Sequence, residues 1–302
     1  MTGTALLALM AAGSALGAHL LTRARWTWRT PRTAIALWQA LGLAWGLASI
    51  GTLLGFGVAP YGQGILVGVA RTFEDPGVLS SVRLAAVAAG LMLALLLIGV
   101  LLVAIAAVVR ARRRHRALLA LVAHGDPDVP GTLVLDHPVA AAYCVPGVRS
   151  SQVVVSAGTL ELLAPYELAA VLAHERAHAR ERHDLVLLPF TSLRRIFPQS
   201  SIVARTLDAV ELLIEMAADD RARRHRPAKE LATALLRFAS AGSAPTPVGT
   251  LGVIGADETS PILVRVRRLL APAPLPRPMR GAMLAGATLV AVLPLILYAI
   301  PT

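Results

Sequence analysis

Charge is scarce in this chain. Only 16% of its 302 residues are charged, against 56% hydrophobic, whereas a soluble domain carries about a quarter charged residues. That deficit, with several long apolar runs, excludes an ordinary soluble protein and points to an integral membrane protein. Lysine is reduced to Lys229 alone, so the formal charge of +11 rests almost entirely on arginine. The arginines gather beside the apolar runs, as in "RARRRHR" (Arg110 to Arg116). No recognition-helix or aromatic–basic pattern accompanies them, so the basic balance reads as membrane topology and not as direct nucleic-acid binding. Cysteine is reduced to Cys144, which excludes an intramolecular disulfide and any cysteine-based zinc cluster. It reads as a small buried residue in a strand.

Four runs are long and apolar enough to cross about 30 Å of hydrocarbon: Thr2–Thr22, Ala34–Val58, Leu84–Val109 and Gly281–Ile300. The first lacks a basic leader and is followed at once by "RARWTWR", so it reads as an uncleaved anchor and not as a signal peptide. Arg23, Arg25, Arg29 and Arg32 mark the first loop as cytoplasmic, and the nearly neutral second loop reads as outside. Arg110 to Arg116, and Arg277 with Arg280, mark the stretch between the third and fourth spans as cytoplasmic. The expectation is a multi-pass protein of the cell membrane with both termini outside. Its parts are a three-helix membrane region (1–110), a cytoplasmic domain (111–280) and a fourth spanning helix (281–302).

Within 111–280 continuous oil gives way to alternation and punctuation. "GTLVLDHP", "AAYCVPG" and "SQVVVSAG" are short β-rich runs closed by Pro or Gly, which predicts a small sheet. "TLELLAPYELAAVLAHERAHARERH" has helical spacing, with a start near Ala164-Pro165. "TLDAVELLIEMAADDRARRHR" predicts a second helix, reached through a connector that Pro189 should break. "ASAGSAPTPVGTLGVIG" reads as loop and "SPILVRVRRLL" as a short amphipathic helix. No internal repeat is visible.

The chemistry lies in "VLAHERAHARERHD", which contains His-Glu-x-x-His. His174 and His178, four apart on a helix, share one face and can offer two imidazoles to one zinc ion. Glu175 is offset enough to miss the metal and act instead as catalytic base toward water. A catalytic zinc needs a third protein ligand and an open fourth position. "ELLIEMAADD" offers Glu215 as that ligand, and Asp219, one turn on, as the carboxylate that orients a ligand histidine, His174. Glu211 is the rival ligand. His183 is a candidate substrate or oxyanion contact, with a helix-end surface role as its plainer reading; His225 and Arg265 are further oxyanion candidates. His137 reads as a turn residue, and Arg176, Arg180 and Arg182 as a solvated helix face. The strand "SQVVVSAG" is a candidate edge for pairing with an extended substrate.

The run from "LDHPVAAAYCVPG" through "HERAHARERHD", followed by "EMAADD", resembles the BlaR/MecR family of membrane zinc metallopeptidases of the gluzincin type. The resemblance implies an α-helical membrane protein with four transmembrane helices and a cytoplasmic α+β gluzincin-type metalloprotease domain carrying a small β-sheet. It implies one Zn2+ per chain on His174, His178 and Glu215, with Glu175 catalytic and Asp219 behind the ligands. It also implies a regulatory endopeptidase that cuts a cytoplasmic protein, typically a DNA-binding repressor of the BlaI type. No Ser-x-x-Lys motif of the penicillin-binding sensor that the best-known members carry after the last span occurs in these 302 residues, so direct β-lactam acylation is not expected. Two other readings stay open: an HtpX-type quality-control protease, and a non-catalytic membrane sensor that keeps zinc for folding. Oligomeric state is not legible.

Overall fold

The computed structural model of the chain describes residues 2–125, 131–145, 151–241, 260–271 and 274–300. It divides into two compact units, one formed by Met1–Val103, Pro189–Leu207 and Leu275–Thr302, the other by Ala104–Leu188 and Asp208–Pro274.

The first unit is helical because its apolar runs leave the backbone no other way to satisfy its polar groups in hydrocarbon. Helices α1 (Thr2–Leu21), α2 (Pro31–Val58), α4 (Ser81–Val122) and α11 (Arg277–Ala299) are each long and apolar enough to cross a membrane. All four expected spans are therefore present, and α4 continues unbroken past Val109 to Val122. Helix α3 (Ile65–Glu74) lies between the second and third spans. Leu7, Ala48, Leu54, Val58, Ile65, Val87 and Leu297 form the core of this unit. Glycine sets how closely its helices approach. A Cβ on Gly57 would stand 2.5 Å from Val87 Cγ2 and 2.9 Å from the Arg83 carbonyl oxygen, so only a bare backbone fits there. The Tyr298 hydroxyl donates to the Leu47 carbonyl at 2.8 Å, tying α11 to α2.

The second unit carries a mixed four-stranded sheet in the order β1-β2-β4-β3. Its strands are β1 (Ala123–Gly125), β2 (Thr132–Leu135), β3 (Ala142–Val145) and β4 (Gln152–Ser156). β2 runs parallel to β4, with Val134 opposite Val155, and β3 runs antiparallel to it, with Cys144 opposite Val153. The three expected strands are present; β1, only three residues long, carries too little pattern to be read. Val153 and Val155 pack with Val134 and Leu172, while Val154 packs on the other face with Leu119, Tyr143 and Val145. A strand buried on both faces explains the unbroken "VVV" run. It also corrects one expectation: β4 is flanked by β2 and β3 and has no edge to offer a substrate. Among the described residues the edge strand on that side is β3.

After β4 come α5 (Ala157–Leu162), α6 (Pro165–Glu181) and α7 (His183–Ile196). Helix α6 starts where expected, with Pro165 at its first position and the Ala164 N–H donating to Glu167 Oε2 at 2.8 Å. Helix α7 passes through Pro189 without ending, its Leu188 and Phe190 buried; packing outweighs the lost backbone hydrogen bond. Then follow α8 (Ser201–Ala222), α9 (Ala228–Ser240) and α10 (Pro261–Leu270). Leu231 and Ala234 of α9 pack against Ala170 and Val171 of α6 and against Ile262, Val266 and Leu269 of α10. Most of the expected loop "ASAGSAPTPVGTLGVIG" lies outside the described residues.

Candidate active site

Two helices of the second unit carry the chemistry. Helix α6 presents His174 and His178 one turn apart, and α8 presents Glu215 and Asp219 one turn apart. Alanine and leucine occupy buried positions beside these polar residues on both helices: Ala170, Ala177, Leu213, Ala217 and Ala218 are all close to fully enclosed.

The ligand atoms converge. His174 Nε2 lies 3.1 Å from His178 Nε2 and 3.4 Å from Glu215 Oε2, and His178 Nε2 lies 3.3 Å from Glu215 Oε1. Zinc–nitrogen and zinc–oxygen bonds of about 2.0–2.1 Å at tetrahedral angles place neighbouring ligand atoms about 3.3–3.4 Å apart. The three side chains therefore fit one zinc ion, and among the described residues they are the His/Cys/Asp/Glu group that could hold a metal. Glu211, the rival ligand, is not part of this group.

Electrostatics agree with that fit. Burial opposes charge on His174, but its hydrogen bonds to Asp219 and Glu215 outweigh burial and raise its pKa to about 10, so the pocket favours a cation at this point. Burial drives His178 down to about 3, which leaves it neutral and able to ligate. Burial would raise Glu215, but Arg265 and the two histidines hold it at about 2, an ionised ligand.

Glu175 stands beside the ligands. Burial pushes it up to about 7 against the pull of His174, and the Cys144 backbone N–H, on edge strand β3, donates to its carboxylate. Asp219 lies behind His174, with Oδ1 3.0 Å from Nδ1. Arg265 from α10 grips Asp219 through two hydrogen bonds and places Nη1 2.7 Å from Glu215 Oε2. Burial opposes its charge, but Asp219 and Glu215 together hold its pKa above the usual arginine range.

The remaining candidates separate. His183 is buried, its Nδ1 lies 3.0 Å from His178 Nδ1 and its Nε2 3.3 Å from Glu181 Oε2. Burial lowers its pKa, with Glu181 opposing. Arg182 takes a left-handed conformation at φ 51°, the only such non-glycine residue among those described, and this turn ends α6 and folds His183 back toward His178. Next to it Asp184 pairs with Arg112 of α4. His225, Arg176, Arg180 and Arg182 are exposed. His137 is exposed in a turn, where its Nδ1 accepts the Val139 N–H at 3.2 Å. The role of Arg265 as the anchor of Asp219 and Glu215 was not legible beforehand, although a signal existed. Ile262, Val266 and Leu269 form the buried stripe of α10, and Arg265 falls inside that stripe, where an unpaired arginine is very rarely found.

Neither a curated protein nor a solved structure matches the chain. Residues 108–240 match the profile of Peptidase family M48. With His174, His178 and Glu215 gathered inside that stretch and four helices able to span a bilayer, this chain carries an M48 zinc metallopeptidase domain within a multi-pass membrane protein.

Proposed function

We propose that the protein is a zinc-dependent endopeptidase whose site faces the cytoplasm and cuts a cytoplasmic protein, a DNA-binding repressor of the BlaI type being the substrate that the sequence resemblance suggests. The convergence of His174, His178 and Glu215 with Glu175 alongside is the observation that carries the peptidase reading. Orientation rests on the arginine-rich stretches that flank the domain.

His174, His178 and Glu215 hold the zinc ion, and Asp219 fixes the His174 ring with its proton on Nδ1. Zinc held there supplies Lewis acidity to the scissile carbonyl and lowers the pKa of water to about 7. Glu175 accepts the proton of the attacking water and passes it to the leaving amine. Strand β3, whose Cys144 N–H touches Glu175, offers an edge on which an extended substrate can lie within reach of the base.

The test uses full-length protein in detergent. Wild type should hold about one zinc and cleave; Glu175→Gln should keep the metal, lose cleavage and retain its substrate uncut. Zinc in both proteins with cleavage by neither would instead support the non-catalytic sensor reading.

One observation favours a second reading, the HtpX-type quality-control protease. Pro189–Leu207, just after the zinc-binding helix, clusters with the spanning helices and not with the peptidase unit. Dozens of unrelated proteins trapped by Glu175→Gln would support it; one dominant protein would support the regulatory reading.

A further inference from the structure

The two ligand histidines are supported differently. His174 gives its Nδ1 side directly to Asp219, a carboxylate locked by Arg265. Among the described residues no carboxylate stands at that distance from His178 Nδ1, which faces the Nδ1 of His183, with ring planes at 82° and centroids 4.9 Å apart. Beyond it, His183 Nε2 faces Glu181 Oε2 at 3.3 Å.

Proton accounting leaves one arrangement. A histidine that ligates through Nε2 carries its proton on Nδ1, and that N–H needs an acceptor. His183 Nδ1 accepts only when the His183 proton sits on Nε2. That N–H in turn needs an acceptor, which is Glu181. All three groups are then satisfied in one direction, from His178 through His183 to Glu181.

Backbone geometry is arranged for it. On a continuous helix residues five apart diverge by about 140°, so His183 would point away from His178. The left-handed turn at Arg182 reverses that. Arg112 pairs with Asp184 at the start of the next helix and holds the turn from the other side. The arrangement also moves charge. A carboxylate directly behind His178 would add an anion beside Glu175 and Glu215, whereas an imidazole passes the hydrogen bond on to Glu181, whose side chain is 21% exposed and retains some solvation.

We infer that His183 is a positioning residue for the metal site: with Glu181 it fixes the tautomer and orientation of His178, as Asp219 and Arg265 do for His174. This rests on the zinc-peptidase reading, and its test reads metal affinity, not turnover.

Full-length protein in detergent is titrated with zinc against a chromophoric chelator, and with Co2+ for its visible absorption. His183→Leu fills the space without an acceptor and should weaken zinc binding about 10–100-fold and alter the cobalt band. His183→Asn, whose Oδ1 can stand where Nδ1 stood, should bind within about threefold of wild type with a wild-type cobalt band. At the outer end, where folding is less at stake, Glu181→Ala should weaken zinc measurably and Glu181→Gln should restore it. Zinc affinity in His183→Leu and Glu181→Ala equal to that of wild type overturns the inference while leaving the peptidase reading intact. Wild-type protein that takes up no zinc overturns both.

Discussion

Arg265 clasps Asp219 with two parallel hydrogen bonds, Nε to Oδ2 at 2.9 Å and Nη2 to Oδ1 at 2.7 Å, and both side chains are buried. The same guanidinium reaches Glu215. Arg265→Met removes one cation from two buried carboxylates and should cost about 3–5 kcal/mol. Arg265→Lys should recover only part of it, since a single ammonium cannot make the forked contact. Chemical denaturation of the detergent-solubilised chain reads both values.

Metal removal should destabilise the peptidase unit selectively. A ligand bound only by the folded state stabilises it by about 4 kcal/mol at a thousandfold excess over its dissociation constant. Dialysis against a chelator should therefore lower the melting temperature, and added zinc should restore it. An unchanged melting curve in metal-stripped protein would argue against a zinc ion on His174, His178 and Glu215.

Gly158 tolerates no side chain. A Cβ there would stand 2.0 Å from the Pro138 carbonyl oxygen and 2.6 Å from its carbon. Its N–H also donates to the His137 carbonyl at 3.0 Å, so the two segments cannot part without losing that bond. Gly158→Ala should cost about 3 kcal/mol by overpacking, whereas Gly125→Ala, which meets nothing within 4 Å, should be nearly neutral.

Cys144 should be a poor nucleophile. Burial, with Glu175 nearby, pushes its thiol up to about 12 from an ordinary value of 9. The raised value means that thiolate is scarce until pH rises well above 9. At pH 8 the thiolate fraction should be about a thousandfold below that of an ordinary cysteine. Alkylation of folded protein by iodoacetamide should be slow at that pH and fast after denaturation.

The ease of reading this sequence varied with how local the responsible physics is. Four spans were legible because membrane length is a property of one continuous run, and α6 announced itself through Pro165 and its apolar spacing. The group of His174, His178 and Glu215 was legible because each pair within it is set by one helical turn. What escaped depends on a single backbone angle or on distant chain. The burial of His183 against His178 escaped because nothing in "RERHD" shows that Arg182 turns left-handed. Strand β4 was taken as the open edge because its neighbours, β2 and β3, are fixed by sheet order and not by its own residues. Helix α9 drew no expectation, although the buried positions of "KELATALL" carry helical spacing. Helix α7 ignored its proline because packing around Leu188 and Phe190 decides it.

The clasp of Arg265 has one more consequence, in ion valence. Glu175, Glu215 and Asp219 place three carboxylates around the ligand atoms, and among the described residues Arg265 is the one fixed cation beside them. When all three acids are ionised, two negative charges are left over. A divalent ion brings the enclosed cluster to neutrality; a monovalent ion leaves a buried anion and a trivalent ion a buried cation, each costly to hold away from water. Placing one arginine, and not two or none, in the stripe of α10 thus helps set which charge the site can accept, before any choice among divalent metals is made by ligand chemistry.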